Sequence, residues 1–272
     1  MGEESGGDTE VKGTIEAVTG LVKAVPIYED MVQPVAKQLG KSLETVGKAI
    51  NVALAPVGIL VWGYDKCQEF IQTKVADRLK DVPPEDIITP KPNVAGPAIE
   101  ALRYTGHEES LSDMYANLLA AAMDKKTANG AHPAFVEIIK QLTPDEAKLI
   151  AYFLEPLPFP LVAVRAESKE VGKGGYDVAV NISLFGQKAN LTLPEQTPTY
   201  LDNLGRLGLI DIQPKYSYID ATIYEELEGS EQIEVFRQHV LKKEHNFNLI
   251  RGAVTLTNLG KQFGGVCVRK AV

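Results

Sequence analysis

Apolar residues recur every third or fourth position through the first half of this chain and every second position in two stretches of the second half. That switch of period is the strongest constraint on what the chain can fold into. Ile15, Val18, Val22 and Val25 keep the helical step, and Val32, Val35, Leu39, Leu43, Val46 and Ile50 continue it. LVAVRAE at 161–167 and YDVAVNISLF at 176–185 alternate instead, with KGG between them as a loop, which predicts a hairpin. Both periods in separate blocks predict an α+β fold, with a mostly helical N-terminal part and a smaller C-terminal part of mixed helix and strand.

The blocks have readable borders. Residues 1–13 open with MGEESGGDTE, which has no apolar residue after Met1 and reads as a disordered tail without a secretory signal. Residues 14–81 read as helices broken near Pro26 and Pro34. VPPEDIITPKPNVAGP at 82–97 holds five prolines and reads as an extended strap. Residues 98–140 read as a bundle of short helices in which Ser110 or Ser112 caps the second and Pro133 opens the third. From 141 to 272, LTPDEA places Thr143 and Glu146 as a helix-capping pair, and TPTYLDNLGRLGLIDIQ reads as a helix that ends at Gly208 and runs into a strand. A charged helix at 230–243 follows, then a strand, a turn capped by Thr257 and a terminal helix.

Within the first block, Ala49 to Tyr64 is uncharged over sixteen residues. At about 1.5 Å per residue it would reach roughly 24 Å, short of the about 30 Å hydrocarbon core of a bilayer. Pro56 and Gly58 would kink it, and Asn51 and the glycines suit tight packing between helices. Two readings stand: a buried central helix, or a segment held back until a trigger sends it into a membrane. Trp62 and Tyr64 sit where an interfacial anchor would, and equally where a core would close.

Partner chemistry follows from charge. The net charge is -8, and residues 1–96, 97–140 and 141–272 hold 10, 4 and 14 basic against 14, 6 and 16 acidic side chains. Polyphosphate binding needs clustered Lys and Arg, so the balance favours a protein partner or self-association over nucleic acid. Cys67 and Cys267 lack disulfide or zinc spacing and read as reduced thiols of a cytoplasmic protein.

Three C-terminal pieces look winged-helix-like: the LTPDEA helix, the helix ending in RLGLI, and the strand leading into LTNLGKQF. The helix that would read DNA offers only Arg206 beside Asp202, too little for phosphate and base contacts together. Templates for catalysis are absent: no GxSxG, no phosphate loop, no HExxH and no paired CxxC. Polar candidates in the middle block are Glu100, Arg103, His107, Asn117, Asp124 and His132. Glu100 and Arg103 are spaced for a surface ion pair on one helix face. His107 beside Glu108, with His132, is the pair to weigh for a metal or acid–base site in a metal-dependent hydrolase, against a His132 that orients its own turn and a solvated His107. No metal, cofactor or small-molecule substrate is assigned.

NVALAPVGILVWGYDK, VAGPAIEALRYTG, MYANLL followed by AAAM, HPAFVEIIKQLTPDEA and YLDNLGRLGLI occur in this order, and together they resemble the abortive infection alpha family over about residues 30–260. Tyr115 and Asn117 lie in the MYANLL string and Phe135 in the HPAF string, as candidate functional or packing positions. The resemblance implies a role in abortive infection, in which an infected bacterium arrests or dies before phage matures. It implies no catalytic residue set.

Overall fold

The structure is a computed structural model that describes residues 66, 69–214 and 216–268. The apolar segment 49–64, with Asn51, Pro56, Trp62 and Tyr64, lies outside the described residues, as do the tail and Cys67.

The fold is α+β. A π-helical turn at Ile71–Val75 runs into α1 (Ala76–Leu79), and α2 (Pro92–Thr105), α3 (Glu109–Met123), α4 (Ala134–Ile139) and α5 (Pro144–Phe153) follow. α3 is the centre of this helical body. Leu111, Met114, Leu118, Leu119 and Met123 are buried, and Ala116, Ala120 and Ala122 between them let neighbouring helices approach closely. Its first turn carries no side-chain cap; Ser112 is buried and accepts a hydrogen bond from Lys74 instead. α5 starts on the capping box that its sequence announces: Glu146 N–H donates to Thr143 Oγ1 and Glu146 Oε2 accepts from Thr143 N–H.

The proline-rich stretch departs from its reading as a strap. α2 begins at Pro92 and carries Pro97 inside it. Pro92 occupies the first helical position, where a missing N–H costs nothing, and Pro97 falls one turn later with the apolar residues Val94, Ala95, Ala98 and Ile99 buried around it. Burial of that face outweighs one lost backbone hydrogen bond.

β1 (Pro160–Glu167) and β2 (Gly175–Ile182) form the expected antiparallel hairpin. After α6 (Phe185–Lys188) and α7 (Thr197–Arg206), the chain turns at Gly208, φ +73°, into β3 (Ile210–Pro214). α8 (Glu225–Glu228) and α9 (Glu231–Lys242, capped by Ser230) lead to β4 (Asn246–Leu256). α10 (Asn258–Phe263, capped by Thr257) and a π-helical turn at Gly264–Val268 follow. The strand order is β2-β1-β4-β3, with antiparallel neighbours throughout. The helix running into β3 and the strand running into α10 are both present. β4 nevertheless lies inside a four-stranded sheet, and α8 and α9 intervene between β3 and β4, so the sheet lends no support to a winged-helix module.

The sheet bends because β2 is irregular. Val162 pairs with Ile182, Val164 with Ala179, and Arg165 with Asp177. β2 therefore uses three positions where β1 uses two, then two where β1 uses one, and each extra residue bends and twists the strand. At the centre of β4, Gly252 allows a close approach: a Cβ there would lie 2.8 Å from Leu161 Cδ1 and 2.9 Å from the Gln213 carbonyl oxygen.

Candidate protein-contact surface

The curled sheet presents two faces with different fates. On one, Val162, Val164 and Ala166 are fully buried under Tyr224, Leu227, Ile233 and Val240 from the segment that includes α8 and α9. Polar locks close this side. Arg251 makes a two-pronged ion pair with Glu228, at 2.6 and 2.9 Å, while its guanidinium stands 4.8 Å from the Tyr224 ring centre. The Tyr224 hydroxyl donates to the Gly252 carbonyl at 2.9 Å, and burial pushes its pKa up.

Among the described residues, the opposite face is covered at one end only. Leu161, Ile210 and Val254 join the core of the helical body. Beyond them no described element covers the sheet, which borders a hollow of about 640 Å³ with Ala163 and Ile250 on its floor. Ala163 stands opposite Ile250 and Arg165 opposite Asn248, so the strands β1 and β4 build the floor in register. The bulge of β2 nearer the helical body has a direct effect here. Val180 and Asn181 are adjacent, yet both line the hollow, as regular alternation would forbid. Asn181 takes a left-handed φ of 56° and its amide donates to Asp202 on α7 at 2.9 Å, which fixes one rim.

The hollow changes character along β1. Towards the helical body it is lined by Leu161, Ile212 and Pro214; towards its outer end come Arg165, Glu167 and Asp177. Arg165 donates to Asp177 Oδ1 at 2.9 Å and to the Gly175 carbonyl at 2.9 Å, with Glu167 Oε1 further off at 3.8 Å. Val180 is 50% exposed despite being apolar.

The candidates read from the helical block lie elsewhere, some of them buried and others on the surface. Arg103 is buried while Glu100 is exposed, so the surface pair inferred from their spacing does not form on the surface. Asn117 joins three elements: it accepts from Arg78 Nε, and its amide donates to the Cys267 carbonyl at 2.8 Å. Around it, Lys74 and Arg78 both reach Asp113, at 2.8 and 3.0 Å. Despite a desolvation penalty that acts the other way, these two cations hold the Asp113 carboxyl below the usual carboxylate range. Tyr115 is buried and its hydroxyl pKa is pushed well up by desolvation. Phe135 meets Phe263 edge to face at 5.4 Å. His132 Nδ1 accepts from Ala134 N–H at 3.1 Å, and His107 lies on the surface 3.5 Å from Glu108. Asp124 sits at an isolated bridge to Ile87. Arg206 is held by Asn203 and Gln141. Among the described residues no three His, Cys, Asp or Glu side chains gather as a group able to hold a metal ion. Among them too, no helix is long and apolar enough to cross a membrane.

None of the described residues singled out in the sequence lines the hollow, and the sequence reading passed over Arg165, Glu167, Val180 and Ile250. Alternation announces that a strand has two faces; which face stays open depends on where a distant helix lands. The only local sign was the asparagine in the middle of the YDVAVNIS run, a residue suited to a bulge.

The abortive infection alpha family matches residues 63–267. No curated protein matches the chain. An uncharacterized protein from the hydrocarbon-degrading marine bacterium Alcanivorax borkumensis SK2 is similar at 22% identity, over 50% of this chain and 96% of that one, with a TM-score of 0.33. That score is too low to carry anything from one protein to the other.

Proposed function

The chain belongs to the abortive infection alpha family, and on that premise we propose that it serves phage defence by contact with a protein partner, made at the open end of the sheet. The observation that supports this reading is the concave face, whose apolar floor and half-exposed Val180 no described element covers while the other face of the same strands is sealed. Uncovered apolar surface with a polar rim is the usual form of a contact site.

The test is a plaque count on cells with and without the gene, alongside cells carrying Val180→Asp or Asn248→Trp. Both positions are exposed, so neither change should disturb folding. The reading expects protection by the wild type and its loss in both variants at unchanged protein level. Full protection by both would overturn it.

A winged-helix-like nucleic-acid regulator is the rival, resting on the α7-into-β3 order. It has less in its favour, because Arg206 is already bonded within the chain and the net charge is -8. Sequence-selective duplex binding tighter than about 10⁻⁷ M in a gel-shift titration would favour it. A membrane-directed step would draw on residues 49–64; dye release from anionic liposomes by the full chain is the measurement that bears on it.

A further inference from the structure

The hollow on the sheet is polarised along its length, and that polarity specifies an occupant. From Leu161 to Glu167, β1 advances about 20 Å at roughly 3.3 Å per residue, the length of an extended peptide of about six residues. Over the first half of this path the lining is apolar, with Ala163, Ile212 and Ile250; over the second it carries two carboxylates and one guanidinium. Asp177 and the Gly175 carbonyl already engage the guanidinium of Arg165. Among the described residues Glu167 has only longer contacts, 3.5 Å to the Asn248 amide and 3.8 Å to Arg165 Nε. The outer end thus keeps a surplus acidic charge beside an apolar floor.

We propose that the concave face takes an extended peptide segment whose apolar side chains are followed by basic ones, seated along β1 with its basic end at Glu167. The inference rests on the protein-contact reading above and adds the chemistry of the partner. An acidic segment would meet Glu167 and Asp177 with like charge, and a purely polar basic one would leave the Ala163 and Ile250 floor unused. The apolar half supplies affinity by covering surface, and the carboxylates set the direction in which the segment lies.

The experiment uses the full chain and three fluorescein-labelled hexapeptides read by anisotropy: Leu-Val-Leu-Lys-Arg-Lys, its acidic counterpart Leu-Val-Leu-Glu-Asp-Glu, and Ser-Gly-Ser-Lys-Arg-Lys. The first should bind about ten-fold more tightly than either of the others. Glu167→Lys should weaken it by about ten-fold and Val180→Asp by a comparable factor, whereas Glu167→Gln should give a smaller loss. Thermal melts of each variant check that the fold is kept. Equal binding of all three peptides, or binding of the first that neither Glu167→Lys nor Val180→Asp weakens, overturns the proposal. The plaque assay separates this failure from failure of the broader reading. If Val180→Asp loses protection while the wild type does not distinguish the peptides, the partner chemistry is wrong and the contact reading stands. If the peptides are distinguished as expected but Val180→Asp still protects, the groove chemistry holds and its role in defence is refuted.

Discussion

The polar side chains of the helical body and those at the open end of the sheet are similar in kind and opposite in circumstance. Asn117, Asp145 and Glu146 are buried, and each bonds to a backbone or side chain of another element. Arg165, Glu167 and Asp177 lie in a solvent-facing hollow with bonding capacity left over. A buried polar group is worth most to the fold when all its partners are internal. The contrast teaches that a polar residue on a motif-rich helix can be wholly committed to internal bonds, while the groups at the open end of the sheet keep bonding capacity to spare.

The sharpest way to break that comparison is Glu146→Ala. Glu146 is 2% exposed and accepts from Thr143 N–H at 2.7 Å and from the Asn203 amide at 2.6 Å. Its removal takes a charged acceptor from both donors and undoes the capping box, and a loss of about 3 kcal/mol in denaturant unfolding is expected. A loss below about 0.5 kcal/mol would put Glu146 with the surface groups.

Asp145 gives a smaller effect with a pH signature. It accepts from Thr192 and Leu193 N–H, both at 2.9 Å, and from Lys148. Burial alone would raise its pKa, but the two backbone donors and Lys148 together hold it at about 2. The folded-state value lies below the unfolded one, so the stabilisation is full above about pH 4 and is lost as pH falls towards 2. It amounts to about 2 kcal/mol. Asp145→Asn should flatten this part of the stability–pH curve; an unchanged curve would show that the carboxylate is not held as described.

Asn117→Ala comes next. It strips a partner from Arg78 and from the Cys267 carbonyl, with an expected cost of about 1 to 2 kcal/mol. Hydrogen exchange should show the loss concentrated in α3 and the Gly264–Val268 turn; a uniform change across the chain would contradict the local account. At the other end of the scale, Val180→Asp should alter unfolding free energy by no more than about 0.5 kcal/mol, because its side chain is already half in water. A loss as large as that for Glu146→Ala would erase the distinction between the two regions.

Much of the local structure was legible. Thr143 and Thr257 each cap the helix that follows, because a hydroxyl placed before an apolar period satisfies orphan N–H groups wherever the helix then packs. The hairpin was legible from alternation and the glycine loop. The helix through Pro97 was not, since a proline rule speaks of backbone bonds and the deciding force was burial of Val94, Ala98 and Ile99. Nor was the burial of Arg103, which its three-residue spacing from Glu100 placed on the surface. The groove was the least legible part. It depends on two irregular positions in β2 and on where α9 comes to rest, and both are settled by contacts between residues far apart in sequence.

The position of β4 between β1 and β3 carries a consequence for the order in which the protein is made. Residues 246–256 are the central partner of strands that leave the ribosome long before them. The β1–β2 hairpin emerges without its main neighbour, and β3 emerges with none. Pairings across such long sequence separations form late. A nascent chain stopped before residue 246 has neither the floor strand carrying Asn248 and Ile250 nor the Cys267 carbonyl that Asn117 grips. The concave surface is thus withheld until residue 256 has been made, and a product truncated before residue 246 would carry most of the helical body without the face that we assign to its partner.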